Sequence, residues 1–262
     1  MNLDVYQPKP LGQKLIGIDG KPWLGTDSFL DVSGLDEIHE EIVRGLTLID
    51  QYEFAAGREW SRGDAAEALY ENKYKCVGIC EAELTPHELI FFKNLTRSQR
   101  FKYLKIAKGG YFPWSYVYQI LGFQEWWKKS DAEGQLPKPE ALKYFPKLIK
   151  WAYSLSIFES IGRIIIFGVD ENHHISCHRD SDPDKYKTDD ELLMLDPKGN
   201  KPFYVYDEQK GAKHYVKNSK TWIFHDCDFH GVDAVPYFTY NVRIDGVYTS
   251  DFRKKINFGR KC

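Results

Sequence analysis

Residues 163–180 read RIIIFGVDENHHISCHRD, and this stretch decides the fold class of the chain. A β-branched run at 163–169 is followed by a polar turn at 170–174 and a second short run at 175–180. Runs of this length and composition, bounded by turn residues, predict two β-strands. The chain therefore changes to a β pattern near residue 161.

Further short strands follow, and these are also bounded by turn residues. They are predicted at 192–195, 203–206, 214–216, 221–224, 230–232 and 237–245. Together with the first two, they make eight short strands at a spacing of roughly ten residues, as expected of a jelly roll or cupin-type barrel.

The first 160 residues have the pattern of helices instead. The strongest start signal is Thr85-Pro-His-Glu88, in which Thr is a preferred N-cap, Pro suits the first turn and Glu completes a capping box. A similar box at Ser33–Asp36 precedes apolar residues at helical spacing. Helices are also predicted at 96–107, 115–129 and 139–155, the last interrupted at Pro146.

The expected fold class is therefore α+β, with a mainly helical N-terminal part packed on a C-terminal jelly-roll or cupin-like core. Residues 1–262 are expected to form a single domain. Within it, 1–160 would supply the helical support and substrate region, and 161–262 the β core.

The composition of the chain argues against nucleic-acid binding, secretion and membrane association. The formal charge is -2, which makes nucleic acid a less favoured partner. Five cysteines form an odd and sparse set, which argues against a secreted disulfide framework. An apolar run of about 18 residues and a leader sequence are both lacking, which predicts a cytoplasmic protein without a membrane association.

Histidines concentrate in the β part and suggest a metal site. His178 and Asp180 are two residues apart, so on a strand they point to the same side. His230 follows 50 residues later (230 − 180) on another predicted strand. Two histidines and one carboxylate hold non-haem Fe(II) and leave positions open for ligands. His225 is the alternative third ligand, and a solvated turn is the alternative interpretation of the His178–Asp180 pair.

Arg243 lies on the last predicted strand, 13 residues after His230 (243 − 230). The other residues on its face of that strand are polar: Thr239, Asn241 and Asp245. Such a strand either forms an exposed edge or lines a polar cavity, and the presence of Arg243 favours the cavity. The alternative is a salt bridge at the strand end, because surface ion pairs are common.

The set His178-x-Asp180, His230 and Arg243, on eight short strands, resembles the motif of the Fe(II)/2-oxoglutarate-dependent dioxygenases with a double-stranded β-helix core. The segment 226–232 (DCDFHGV) is similar to the stretch around the distal histidine of that family. The resemblance extends from about Gly162 to Asp245. It implies Fe(II), 2-oxoglutarate and O2 as cofactor and cosubstrates.

The resemblance also implies roles for residues. His178, Asp180 and His230 would bind iron and form the catalytic centre, and Arg243 would hold the far carboxylate of 2-oxoglutarate. The expected reaction is hydroxylation of an unactivated C–H bond, with succinate and CO2 as coproducts. Related halogenases have a small residue in place of Asp180, so a carboxylate there favours oxygen transfer.

The chain departs from the family pattern two residues after the arginine. Many members have Ser or Thr there, whereas this chain has Asp245, which would repel the cosubstrate if it faced inward. The candidates for a second contact to the carboxylate of the cosubstrate are therefore Tyr204, Thr239 and Asn241.

The substrate is expected to be a small polar molecule or an amino-acid side chain, including one on a protein. The polar loop 181–190 is either a lid or a solvated connection. Two other functions remain open. One is a cupin-like metalloenzyme that does not use 2-oxoglutarate and has no need for Arg243. The other is a non-catalytic β-sandwich binding module with an incidental group of histidines.

Overall fold

The computed structural model describes residues 12, 14–49, 84–108, 117–119, 136–169, 171–180 and 191–258. The helices in these ranges are α1 (Leu35–Leu48), α2 (Pro86–Lys93), α3 (Arg97–Lys108), α4 (Pro139–Tyr144), α5 (Pro146–Tyr153) and α6 (Ser250–Lys255). The strands are β1 (Trp23–Gly25), β2 (Val117–Gln119), β3 (Phe158–Val169), β4 (Ile175–His178), β5 (Glu191–Leu195), β6 (Phe203–Asp207), β7 (Ala212–Tyr215), β8 (Thr221–Phe224), β9 (His230–Val232) and β10 (Thr239–Tyr248).

The strands form two antiparallel sheets. The major sheet has the order β1-β8-β5-β10-β3-β2, and the minor sheet has the order β4-β9-β6-β7. Strands β3 to β10 are the eight strands predicted from the sequence, and they are divided four and four between the sheets. Their interleaved order is that of a jelly roll, or double-stranded β-helix. The expected α+β fold class is therefore confirmed.

Side chains alternate between the two faces of each strand, and the apolar ones therefore form two separate clusters. One lies between the sheets, inside the barrel, and consists of Leu192, Met194, Phe203, Val205, Trp222, Phe224 and Val232. The other joins the helices to the outer face of the major sheet, which contributes Ile164, Ile166, Leu193, Leu195, Val242 and Ile244. Because the apolar residues of β10 face the helices, its polar residues are directed into the barrel.

The helices pack on one another as well as on the sheet. Glu41 of α1 accepts hydrogen bonds from the backbone N–H groups of Lys147 and Leu148, both at 2.8 Å. These groups lie in the first turn of α5, where a helix has no partners of its own for its N–H groups. The carboxylate thus caps α5 and fixes the angle between the two helices. None of the described helices is both long and apolar enough to cross a membrane.

Two of the helix predictions are confirmed in detail. Thr85 and Glu88 form both hydrogen bonds of a capping box at the start of α2. The helix predicted at 139–155 is interrupted at Pro146, because the proline begins the new helix α5.

Two other helix predictions are corrected. The N-cap of α1 is Gly34, without a side-chain cap, because the Ser33 hydroxyl donates to Asp31 at 2.6 Å instead. In the predicted helix at 115–129, the described residues form the strand β2, which pairs with β3. The remainder of that segment lies outside the described residues.

Gly45 tests the packing of α1. A Cβ atom at this position would lie 2.4–3.0 Å from three ring carbons of the buried Phe145. In a solvated helix alanine is the better residue, but here the close contact outweighs that preference. We expect Gly45→Ala to lower the free energy of unfolding by about 1–3 kcal/mol, measured in urea. Gly34→Ala is the control, because a Cβ there has no atom within 4 Å; equal stability of the two variants would contradict the packing described.

Candidate metal centre and cavity

His178 and His230 lie opposite each other across the pairing of β4 with β9. The pairing is irregular between Ile175 and His178, as in a β-bulge, which changes the direction in which a side chain points. The two imidazole rings are 4.5 Å apart between centroids. Asp180 follows the end of β4, where its backbone N–H donates to the carbonyl of Asp226 at 3.0 Å.

The three side chains present one set of ligand atoms. His178 Nε2 lies 3.4 Å from Asp180 Oδ1, and His230 Nε2 lies 3.9 Å from Asp180 Oδ2. One ligand atom from each residue lies within 4.8 Å of the others. Donors at right angles on an ion with bonds of about 2.1 Å are about 3 Å apart, so small side-chain rotations would close this set around one ion.

His230 is prepared for metal binding through Nε2. Its Nδ1 is 3.0 Å from the carbonyl of Asp228, and a hydrogen bond to this acceptor places the proton on Nδ1. Burial lowers the pKa of His230 to about 3, so the ring is neutral at physiological pH. The ring also packs on Phe224 (4.6 Å) and Phe203 (5.7 Å), which hold its orientation.

A cavity of about 290 Å³ adjoins the three residues. Its remaining lining is mixed: Phe167, His174, Ile175, Arg179, Met194, Phe203, Phe224, Gly231, Val232, Asn241 and Arg243. The cavity lies on the side of the triad that faces the barrel interior, where a facial metal site needs open coordination positions. The donor set and its surroundings therefore fit non-haem Fe(II).

Arg243 lies in the cavity wall, within a network of buried charges. Its Nε donates to Asp245 Oδ1 at 2.7 Å, and its Nη1 donates to Asp180 Oδ2. Asp245 also accepts from Arg163 Nε at 2.8 Å through its other oxygen. The sequence raised the concern that an inward Asp245 would repel an anionic cosubstrate. Asp245 does face inward, but two guanidinium groups surround it.

The three candidates for a second contact to the carboxylate of the cosubstrate lie at different places in the structure. Asn241 lines the cavity. Thr239 is buried on the same face of β10 but does not line the cavity. Tyr204 is not brought to the cavity, because neighbouring residues on β6 point to opposite sides of the sheet. Its ring packs on Tyr215 of the outer face, 5.8 Å away, and its hydroxyl bonds to the Cys177 thiol.

The alternative ligand His225 is not brought to the cavity. It is buried and stacks on Phe258 at 5.9 Å, and its Nδ1 accepts the backbone N–H of Cys227. By contrast, His174 and Arg179 both line the cavity. The guanidinium of Arg179 also lies 5.5 Å from the centre of the Phe229 ring.

Lys201 is a buried charged residue that the sequence reasoning missed. It is 5% exposed, and its Nζ donates to Asn241 Oδ1 and to the Phe167 carbonyl. Both of these residues line the cavity. Burial lowers the pKa of Lys201 to about 7, which Asp196 only partly offsets. No signal in the local sequence identifies it, because Lys201 precedes β6 and strand alternation does not extend to it.

Known structures offer a limited comparison. No family model matches the chain, and no curated protein is similar to it in sequence. Among solved structures, the chain is similar to a 2OG-Fe(II) oxygenase family oxidoreductase from Burkholderia pseudomallei, with 14% identity, a TM-score of 0.34 and coverage of 63% of this chain and 79% of that one. It is also similar to a Pseudomonas putida prolyl-4-hydroxylase, with 10% identity, a TM-score of 0.30 and coverage of 50% and 69%.

A third similar structure is a Trichoplax adhaerens prolyl hydroxylase in complex with a hypoxia inducible factor peptide fragment. It has 9% identity and a TM-score of 0.31, and the match covers 89% of this chain and all of that one (100%).

Removal of either histidine ligand should abolish metal binding. We expect His178→Ala and His230→Ala to weaken Mn(II) binding more than about 100-fold, since even second-shell changes cost 10- to 100-fold. Equilibrium titration of the metal-free protein measures this. His225→Ala should bind Mn(II) like the wild type, and the opposite pattern would move the third ligand to His225.

Lys201 should make stability depend on pH. Its pKa is about 7 in the folded protein and 10.5 in the reference state, so between these values the unfolded chain binds more protons. Stability should therefore rise with pH in that window. Between pH 7 and pH 9 we expect the wild type to gain on the order of 2 kcal/mol relative to Lys201→Met, measured by urea unfolding. Parallel pH curves for the two proteins would exclude such a shift.

Proposed function

We propose that the chain is an Fe(II)- and 2-oxoglutarate-dependent oxygenase. The observation that carries this proposal is the group His178, Asp180 and His230 at the wall of a cavity that also contains a buried guanidinium. The two histidines and the carboxylate would hold the ion from one side. The cavity would receive the cosubstrate on the other.

The charges of the site support an anionic cosubstrate. Arg163 and Arg243 both donate to Asp245, and Arg243 also donates to Asp180, so these two guanidiniums face two carboxylates. A divalent ion bound at the triad would therefore bring two positive charges to this group. A dianion such as 2-oxoglutarate is the complement of these two charges, and we propose that Arg243 contributes to its binding.

The residues around the iron would orient the reactants and exclude water. Bound Fe(II) supplies the activation of O2, coupled to oxidative decarboxylation of the cosubstrate. Phe203 and Phe224 hold the His230 ring and keep that side of the site dry. Asp180 provides the third protein ligand, and with this carboxylate present we propose oxygen transfer, most simply hydroxylation, rather than halogenation.

We propose that the substrate presents a small group to the site. The cavity of about 290 Å³ is at the low end of the usual range for ligand pockets, roughly 300–1,000 Å³. Part of that volume would be taken by the cosubstrate. A small polar molecule or a single amino-acid side chain fits what remains. We also propose that residues 1–262 form one oxygenase domain, with the helical part as a support for the β core.

Anaerobic titration tests the proposed function. The metal-free protein is titrated with Fe(II) and then with 2-oxoglutarate, and the weak visible charge-transfer band of the chelate is recorded. We expect a band only when both are present, and none in His178→Ala or Asp180→Gly. We also expect Asp180→Gly to retain iron poorly, because the ligand set then lacks its carboxylate.

Each other result would contradict the proposal in a specific way. Stoichiometric iron without a response to 2-oxoglutarate would indicate a cupin-like metalloenzyme. No band and no thermal stabilisation by either ligand would indicate a binding module, because a ligand that binds the folded state must raise its stability.

A further inference from the structure

The ammonium group of Lys201 is buried, and the two groups that accept its hydrogen bonds are neutral. Its Nζ donates to the Asn241 side-chain oxygen and to the Phe167 carbonyl, and in the described part of the chain it forms no ion pair within 4 Å. Asp196 attracts it only at longer range, since both oxygens of that carboxylate accept backbone N–H groups. A buried ammonium without an ionic partner is costly, and an anion would compensate it.

Arg243, unlike the Lys201 ammonium, donates to charged partners. Two carboxylates accept its hydrogen bonds, those of Asp245 and Asp180, so its charge is already matched before any cosubstrate binds. An incoming carboxylate would have to compete with these partners. The Lys201 ammonium donates to no carboxylate among the described residues; Asp196 accepts only the backbone N–H of Lys201.

The two cations lie at different depths of the barrel. Arg243 reaches the candidate iron ligand Asp180. Asn241, which Lys201 contacts, lies two residues away on the same face of β10, and two strand residues advance by about 6.6 Å. On the facing sheet, Val205 of β6 lies opposite His230 and Phe203 opposite Val232. Lys201 precedes both in the chain; it does not itself line the cavity, but it contacts Asn241 and Phe167, which do.

Two other buried donors belong to residues near Lys201 and Asn241. Trp222 and Lys201 line a polar recess that is separate from the cavity and bordered by residues 216–220. Trp222 is also the neighbour of Met194 across the strand pair, and Met194 contacts the Asn241 amide. Thr239 lies two residues before Asn241 on β10. Among the described residues, the Trp222 Nε1 and the Thr239 hydroxyl have no hydrogen-bond partner. Buried donors are normally satisfied, so unsatisfied ones near a buried cation point to a missing acceptor.

We propose that Lys201, with the Asn241 amide beside it, binds the far carboxylate of 2-oxoglutarate at the Asn241 end of the cavity. The inference rests on the function proposed above and names the cation that recognises the cosubstrate. Lysine has three donor hydrogens, of which two are used here, so a third is left for an oxygen of the ligand. Arg243 then acts nearer the metal, where it balances Asp180 and Asp245.

The test compares two 2-oxo acids of equal length. 2-Oxopentanoate has the five-carbon chain of 2-oxoglutarate but a methyl group in place of the far carboxylate. Binding of each to the Mn(II)-loaded protein is measured by calorimetry. The wild type should prefer 2-oxoglutarate by about 10- to 100-fold, the range of one charge-assisted hydrogen bond.

The ratio of the affinities for 2-oxoglutarate and 2-oxopentanoate, rather than either affinity alone, identifies the residue that contacts the far carboxylate. Lys201→Met should lose most of the preference while it binds Mn(II) and 2-oxopentanoate like the wild type. Arg243→Lys should keep the preference even if both affinities fall. The matched control is Lys210→Met, because Lys210 is exposed and pairs with Asp207 away from the cavity.

The failure of this inference differs from the failure of the proposed function. A wild type that binds neither acid would overturn both. A wild type that prefers 2-oxoglutarate, together with a Lys201→Met variant that keeps that preference, would overturn only the role of Lys201. If Lys201→Met does not give the circular dichroism spectrum of the wild type, Lys201→Gln is measured by the same criteria.

Thermal unfolding separates a binding role from a structural one. A residue kept for ligand binding leaves an uncompensated charge in the ligand-free protein, so Lys201→Met should raise the midpoint of unfolding without ligand. It should also reduce the rise in midpoint that 2-oxoglutarate gives to the Mn(II)-loaded protein. A lowered midpoint with an unchanged response to 2-oxoglutarate would make Lys201 a structural residue and overturn the proposal.

Discussion

The sharing of Asp245 by two arginines is the interaction on which the interior of the barrel depends. Arg163 of β3 and Asp245 of β10 are direct neighbours across the strand pair, and Arg243 approaches the other carboxylate oxygen from the same strand. Removal of one partner from a buried ionic group typically costs about 3–5 kcal/mol, because the remaining charge is uncompensated. This network therefore allows a strand to carry charged residues inside the barrel while its other face packs on the helices.

That arrangement also explains the position of the candidate site between the sheets. The histidines and Asp180 belong to the minor sheet and the turn after it, whereas Arg243 and Asn241 belong to the major sheet. Packed sheets are about 10 Å apart, so the side chains of both meet in one cavity. The helices do not contribute to the site directly. They cover the outer face of β10, so the inner face of this strand is left for the site.

The sequence could predict what depends on short-range periodicity. Alternation located the eight strands. The strand predicted at 175–180 ends at His178, so Asp180 follows the strand and does not share a strand face with His178. The sequence could not reveal contacts between distant segments. Lys201 meets Asn241 across 40 residues, and nothing local distinguishes it from a surface lysine. The partners of Asp245 were hidden for the same reason, since Arg163 lies 82 residues away. The strand β2 lay in an expected helix because its pairing with β3 outweighs its local propensity.

The cations at the two ends of the cavity have different partners. This difference suits a ligand such as 2-oxoglutarate, which would bind the metal at one end and a cation at the other. Near the metal centre, Arg163 and Arg243 donate to the carboxylates of Asp245 and Asp180. At the Asn241 end, the Lys201 ammonium donates only to neutral groups among the described residues, and a bound anion would compensate its charge. A protein optimised for stability alone would replace such a lysine by an apolar residue. Its presence next to Asn241 is better explained as a binding device, in which stability of the ligand-free state is exchanged for recognition of a carboxylate.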